Sequence, residues 1–170
     1  MFQSTKKFSH LASAYRNHYS KTDCYLLHGY CRDISVVFGC KTLDKQGFVV
    51  DFGMFKDFKI WLEDNFDHTT VLQADDPLVP PFRALERDGL MKLTVVPTVS
   101  CEGWAMFIAK KLDEYVRRET KGRAWVYTLE VHENSKNSAI YINTNENGEV
   151  TDDMSFDDLI ELTRDMERMI

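Results

Sequence analysis

Leu26-Leu27-His28-Gly29-Tyr30-Cys31-Arg32-Asp33-Ile34-Ser35-Val36-Val37-Phe38-Gly39-Cys40 reads as one long strand. Ile34, Val36 and Phe38 recur at period two and share a face, while Ser35 and Val37 share the other. The same alternation turns His28 and Tyr30 to one side. Cys24 lies four residues ahead of His28. A thiol, an imidazole and a phenol are therefore gathered at the start of a strand, which is where chemistry would be placed.

Working outward, Phe8 to Tyr15 is expected as a first strand and Arg16 to Asp23 as polar loop. Asp44-Lys45-Gln46-Gly47 is a turn. Phe48-Val49-Val50 runs into Asp51, a suitable helix N-cap residue. Phe55, Phe58, Leu62 and Phe66 then mark a buried helical stripe. Asp67 to Thr98 is irregular, with loop at Asp75-Asp76-Pro77 and Pro80-Pro81 and a short helix over Arg83 to Leu90. Arg83, Arg87 and Lys92 would form a solvated face or meet phosphates. A second long helix is expected after Ser100. Trp104, Phe107, Ile108, Leu112, Tyr115 and Val116 form its stripe, and it ends near Gly122. Trp125 to Val131 alternates as a strand, Asn134 to Asn137 turns, and Ser138 to Ile142 returns. Ser155 with Asp158 resembles a capping box opening a terminal helix through Leu159, Leu162 and Met166. Strands and helices are segregated, so the class is α+β, an antiparallel sheet covered on one face.

The chain has 170 residues, enough for one domain, and 44% hydrophobic content, ordinary for a soluble protein. Eleven Phe, seven Tyr and three Trp suit an aromatic core or a subunit interface. A formal charge of -6 argues against a nucleic-acid or anionic-membrane binder. No apolar run is long enough to span a membrane and no leader pattern opens the chain, so a cytoplasmic location is expected. No cysteine pair has zinc-knuckle spacing. Cys31 and Cys40 read as small hydrophobes. Cys24 is a nucleophile or base if its pKa is lowered. In Asp67-His68 a carboxylate can orient an imidazole, or the pair can simply be solvated at a helix end. Glu133, at a strand end, can accept two hydrogen bonds from an amino-pyrimidinone edge or stand as a surface glutamate. His10 and His132 read as structural or surface residues.

In combination, C-x3-H-G-x (Cys24 to Tyr30), G-x-V-V-D-F-G (Gly47 to Gly53), Asp67-His68, P-T-x-S-x-E (Pro97 to Glu102) and V-x-E (Val131 to Glu133) resemble the 6-pyruvoyltetrahydropterin synthase / 6-carboxytetrahydropterin synthase family. The resemblance spans roughly residues 8 to 142. It implies a T-fold over residues 1–145, with 146–170 a helical extension. It further implies subunits closing their sheets into a barrel, usually a homohexamer, with active sites between subunits. Members act on 7,8-dihydroneopterin triphosphate as carbon-oxygen lyases. One branch eliminates triphosphate and tautomerises the side chain; the other shortens it towards deazaguanine compounds such as queuosine. The resemblance makes Cys24 the proton-abstracting thiolate and Asp67-His68 the relay pair. Glu133 becomes the carboxylate gripping the pterin, with Ser100 and Cys101 the small polar pair beside the ring.

The family's zinc is held by three histidines, one ending the first strand and two in an H-G-H motif. Here those positions carry Tyr15, His28 and Tyr30, so only His28 remains as a metal ligand. A phenol must lose a proton of pKa near ~10 to ligate, so zinc affinity is expected to fall sharply. Several outcomes stay open. The chain is an enzyme that works without zinc, with the tyrosine hydroxyls binding the substrate diol. Or it is a non-catalytic pterin- or purine-binding or assembly protein. Or the site is rebuilt with His10 or His18, or holds a tyrosinate-bound ferric ion.

Overall fold

The computed structural model describes residues 1–144; the expected terminal helix lies outside them. The order is β1 (Phe2–Tyr15), β2 (His28–Cys40), α1 (Lys56–Phe66), β3 (Thr69–Gln73), α2 (Val79–Arg87), β4 (Leu93–Val96), α3 (Cys101–Thr120), β5 (Ala124–His132) and β6 (Ser138–Ile142). The strands form one mixed sheet in the order β4-β3-β1-β2-β5-β6. The expected antiparallel part, β1-β2-β5-β6, is present. Beyond it, β3 and β4 add parallel to the β1 edge.

The alternation expected in β2 is realised: Ile34, Val36 and Phe38 are all but completely buried. They meet Phe55, Phe58, Leu62 and Phe66 of the α1 segment and Trp104, Ile108, Leu112 and Val116 of α3. Both long helices thus lie on one face of the sheet. Asp51 caps the chain into a 3-10 turn over Phe52–Phe55 that leads into α1, its Oδ1 accepting from the Gly53 amide at 2.8 Å. Ser100 caps α3 in the same way, from the Gly103 amide at 3.1 Å. Lys121 and Gly122, at φ 53° and 79°, close α3 in left-handed geometry.

Three expectations are corrected. The first strand begins at Phe2 rather than Phe8, with a register shift between Phe8 and Leu11 where His10 takes φ 68°. The short helix covers Val79–Arg87 rather than Arg83 to Leu90, because Pro80 and Pro81 occupy its first turn, where no amide donor is needed. The irregular stretch is a β3-α2-β4 unit with its own small core of Leu72, Val79 and Leu93. Val71 pairs with Tyr15 on the main-core face. Alternation therefore turns Leu72 to the reverse face, and α2 covers that side of the edge.

Candidate functional site

Register assembles the site. Tyr15 pairs with His28 and Ser13 with Tyr30 across β1 and β2, so Tyr15, His28 and Tyr30, the three residues that the resemblance aligns with metal ligands, share the helix-covered face. Their rings cluster: Tyr15 to His28 is 4.6 Å between centroids, His28 to Tyr30 5.9 Å, and Tyr15 to Tyr30 6.4 Å. Gly29 between them makes the close approach possible. A Cβ there would stand 2.6 Å from the Ser13 carbonyl oxygen, so only glycine lets the strands meet.

Glu133 follows the end of β5, its amide bonded to the Asn137 carbonyl at 3.0 Å in the hairpin turn. Its Oε1 accepts from the Tyr15 hydroxyl at 2.6 Å. Burial, and then this bond to a carboxylate, push the Tyr15 phenol well above its ordinary value. The Leu26 carbonyl accepts from His28 Nδ1 at 2.7 Å, which leaves Nε2 as the lone-pair nitrogen of a neutral His28. Cys101 opens α3 close to Arg32 and Glu133. Burial raises its thiol pKa, and Arg32 opposes part of the rise. Ser100 spends its hydroxyl as the helix cap.

Cys24 sits exposed in a 3-10 turn, Asp23–Tyr25, its carbonyl accepting from the Asn17 amide at 2.9 Å. The loop that carries it is strapped to the chain after β3. Arg16 makes a buried bidentate pair with Asp76, at 2.8 and 2.7 Å, and lies under the Tyr25 ring at 4.8 Å. His18 stands 3.6 Å from Asp75 and 3.8 Å from Asp76, so it is engaged there rather than beside His28. His10 lies in the β1 bulge, its amide bonded to Asp33 Oδ1 at 3.1 Å.

Asp67 and His68 form the expected couple, with Nδ1 to Oδ2 at 2.9 Å. Asp67 Oδ1 also accepts the Ala12 amide at 2.9 Å. Burial alone would raise the Asp67 carboxyl, but the bonds from His68 and Ala12 outweigh it and hold it below the usual carboxylate range. His68, at φ 51°, lines an open groove with Ala12, Ala14, Gly29 and Cys31, and Ser13 and Tyr30 also border it. Alternation turns the side chains of Ala12, Ala14 and Cys31 to the reverse face of the sheet. One chain therefore brings Tyr15, His28, Tyr30, Cys101 and Glu133 together and presents Asp67-His68 on the opposite side.

The sequence reading passed over Arg32. It continues the inward parity of Ile34, Val36 and Phe38, and a cation at an inward position was the available signal. Arg32 is fully buried, its guanidinium 3.9 Å from the Tyr15 ring centre and 4.1 Å from that of Trp104. Its Nη2 is 3.7 Å from Glu133 Oε1.

Residues 4–144 match the family model described as 6-pyruvoyl tetrahydropterin synthase. A 6-carboxy-5,6,7,8-tetrahydropterin synthase of Rickettsia conorii is 41% identical over 54 residues, 31% of this chain and 39% of that protein. The enzyme of the same name from Aquifex aeolicus is 31% identical over 97 residues, 54% of this chain and 60% of that protein. The chain thus aligns with between about two fifths and three fifths of these relatives' length. In fold, an uncharacterized protein of Wolinella succinogenes superposes with a TM-score of 0.72 at 22% identity, over 84% of this chain and 98% of that one. Plasmodium vivax 6-pyruvoyltetrahydropterin synthase gives 0.61 at 17% identity, over 84% and 99%. No helix among the described residues is long and apolar enough to cross a membrane. The expected T-fold is realised, and the chain belongs to the 6-pyruvoyl tetrahydropterin synthase family.

Proposed function

We propose that this chain binds a pterin-type ring through Glu133 and acts on 7,8-dihydroneopterin triphosphate as a 6-carboxy- or 6-pyruvoyl-tetrahydropterin synthase-like lyase. The observation that carries this reading is the meeting of Glu133, Cys101 and the cluster at the metal positions, joined by the Tyr15–Glu133 bond of 2.6 Å. A carboxylate offers about four acceptor directions, so this bond leaves room for the paired donors of an amino-pyrimidinone edge. Cys24 abstracts the proton, and Asp67-His68, from a neighbouring copy, completes the relay. Two faces of one sheet can serve one site only if copies of the chain assemble, which is the role of the homohexamer.

The donor set does not fit the family's zinc. One imidazole is available, that of His28, whereas Tyr15 is held protonated by burial and by its bond to Glu133. No step here passes through a metal. The same observation favours a second reading, a pterin- or purine-binding protein without turnover.

Purified protein given dihydroneopterin triphosphate, with chelator present, separates the two. Turnover that survives chelation and vanishes in Cys24→Ala supports the enzyme. Ring binding lost in Glu133→Gln, with no product by chromatography, supports the binding protein. Ring binding unchanged in Glu133→Gln overturns both.

A further inference from the structure

Arg32 is buried, yet its Nε, Nη1 and Nη2 make no hydrogen bond among the described residues. An arginine cannot discharge itself by losing a proton, so its charge must be met by its surroundings. The same molecule shows how it meets a structural arginine: Arg16 is gripped on two nitrogens by Asp76. Arg32 has instead two aromatic faces and one carboxylate oxygen at 3.7 Å, already accepting from Tyr15 at 2.6 Å. It touches the ring of Tyr15, whose hydroxyl stands where the family pattern has a zinc-binding imidazole.

We propose that Arg32 is the built-in cation of this site. It balances Glu133 with a fixed positive charge and, by its own field, keeps a divalent ion out of the Tyr15/His28/Tyr30 cluster. On this view the two tyrosines and the arginine are one coupled replacement. Returning imidazoles to the tyrosine positions does not restore a metal site while the guanidinium stays against Tyr15, because like charges repel, and the more strongly where one of them is buried. The inference rests on the metal-position alignment and is read through metal affinity, so it fails separately from the pterin reading.

The test compares Tyr15→His/Tyr30→His with the same pair plus Arg32→Met, and plus Arg32→Lys. Zinc affinity is measured by competition with a chromophoric chelator, and folding by circular dichroism. Removing the guanidinium should tighten zinc binding by about tenfold or more, while Arg32→Lys, which keeps the charge, should not. Equal affinity with and without Arg32 overturns the inference, as does tightening by the lysine variant equal to that by methionine. Tyr15 is buried, and its exchange can cost the fold. The comparison then uses Tyr30→His alone, an exposed position, with and without Arg32→Met. The same direction is expected, and no difference is again fatal.

Discussion

At the scale of single residues, the site stores unusual groups rather than reactive ones. Tyr15 is raised by burial and by Glu133, so the folded chain holds that proton after the unfolded chain has lost it. The stability tied to Tyr15 is complete below about pH 10 and drains as pH rises towards the raised value. Urea midpoints measured from about pH 9 to about pH 11 should therefore fall less in Tyr15→Phe than in the native chain. An equal fall in both shows that Tyr15 is not the group responsible. Arg32 makes a different kind of prediction. Replacing both members of a buried ion pair by neutral groups is often neutral or stabilising, whereas removing one member leaves the other charge uncompensated and is costly. Arg32→Met should therefore melt below the native protein in a thermal scan, and adding Glu133→Gln to it should recover part of the loss. A loss unchanged by the second substitution would make the contacts of Arg32 with Tyr15 and Trp104 structural.

At the scale of elements, the decisive arrangement is the strap between the Cys24 loop and the turn after β3. Burial alone would raise Asp76, but the Arg16 hydrogen bonds outweigh it and hold the carboxyl below its usual range. Its contribution is present above about pH 4 and is lost as pH falls through the lowered value. Asp76→Ala leaves Arg16 buried without its carboxylate and should cost about 3–5 kcal/mol in urea unfolding. Loosening should concentrate in the loop. Tryptic cleavage after Lys21, followed by mass spectrometry, should speed up more than cleavage elsewhere. Uniform acceleration would show that the pair serves global stability only. The long elements were legible in sequence because each carries a full period: the α1 stripe, the α3 stripe and the β2 alternation appear as read. In β5 the expected shared face of Trp125, Tyr127, Leu129 and Val131 is broken by a register shift between Val126 and Thr128, so Val126, opposite Phe38, joins Leu129 and Val131 in the core while Trp125 stands opposite Gly39. The β3 and β4 strands were not legible. Thr69–Gln73 is covered on both faces, so it has no alternation to detect, and Leu93–Val96 is too short to show one.

At the scale of the whole molecule, the sheet of the described residues ends in two edges, β4 and β6. Ile140 and Ile142 stand exposed on one face of β6, at 59% and 58%. Apolar residues on an open edge invite a second sheet. This is where we propose that copies of the chain associate, in keeping with the shared site proposed above. Sedimentation should show the native chain as an oligomer, and Ile140→Lys/Ile142→Lys should shift it to smaller species. Smaller species in the native sample would remove the shared site.

The residues by themselves determined the family, the antiparallel frame and the two covering helices, and they put tyrosines at 15 and 30, where the resemblance implies imidazoles. Those features are local or periodic, and residue type with spacing is enough to express them. Tertiary structure decided three further things. It joined Tyr15 to Glu133, placed Asp67-His68 on the far face, and buried Arg32 between Tyr15 and Trp104. Each depends on strand register and on which elements become neighbours. These are set by the total packing of distant segments, and no window of sequence contains them.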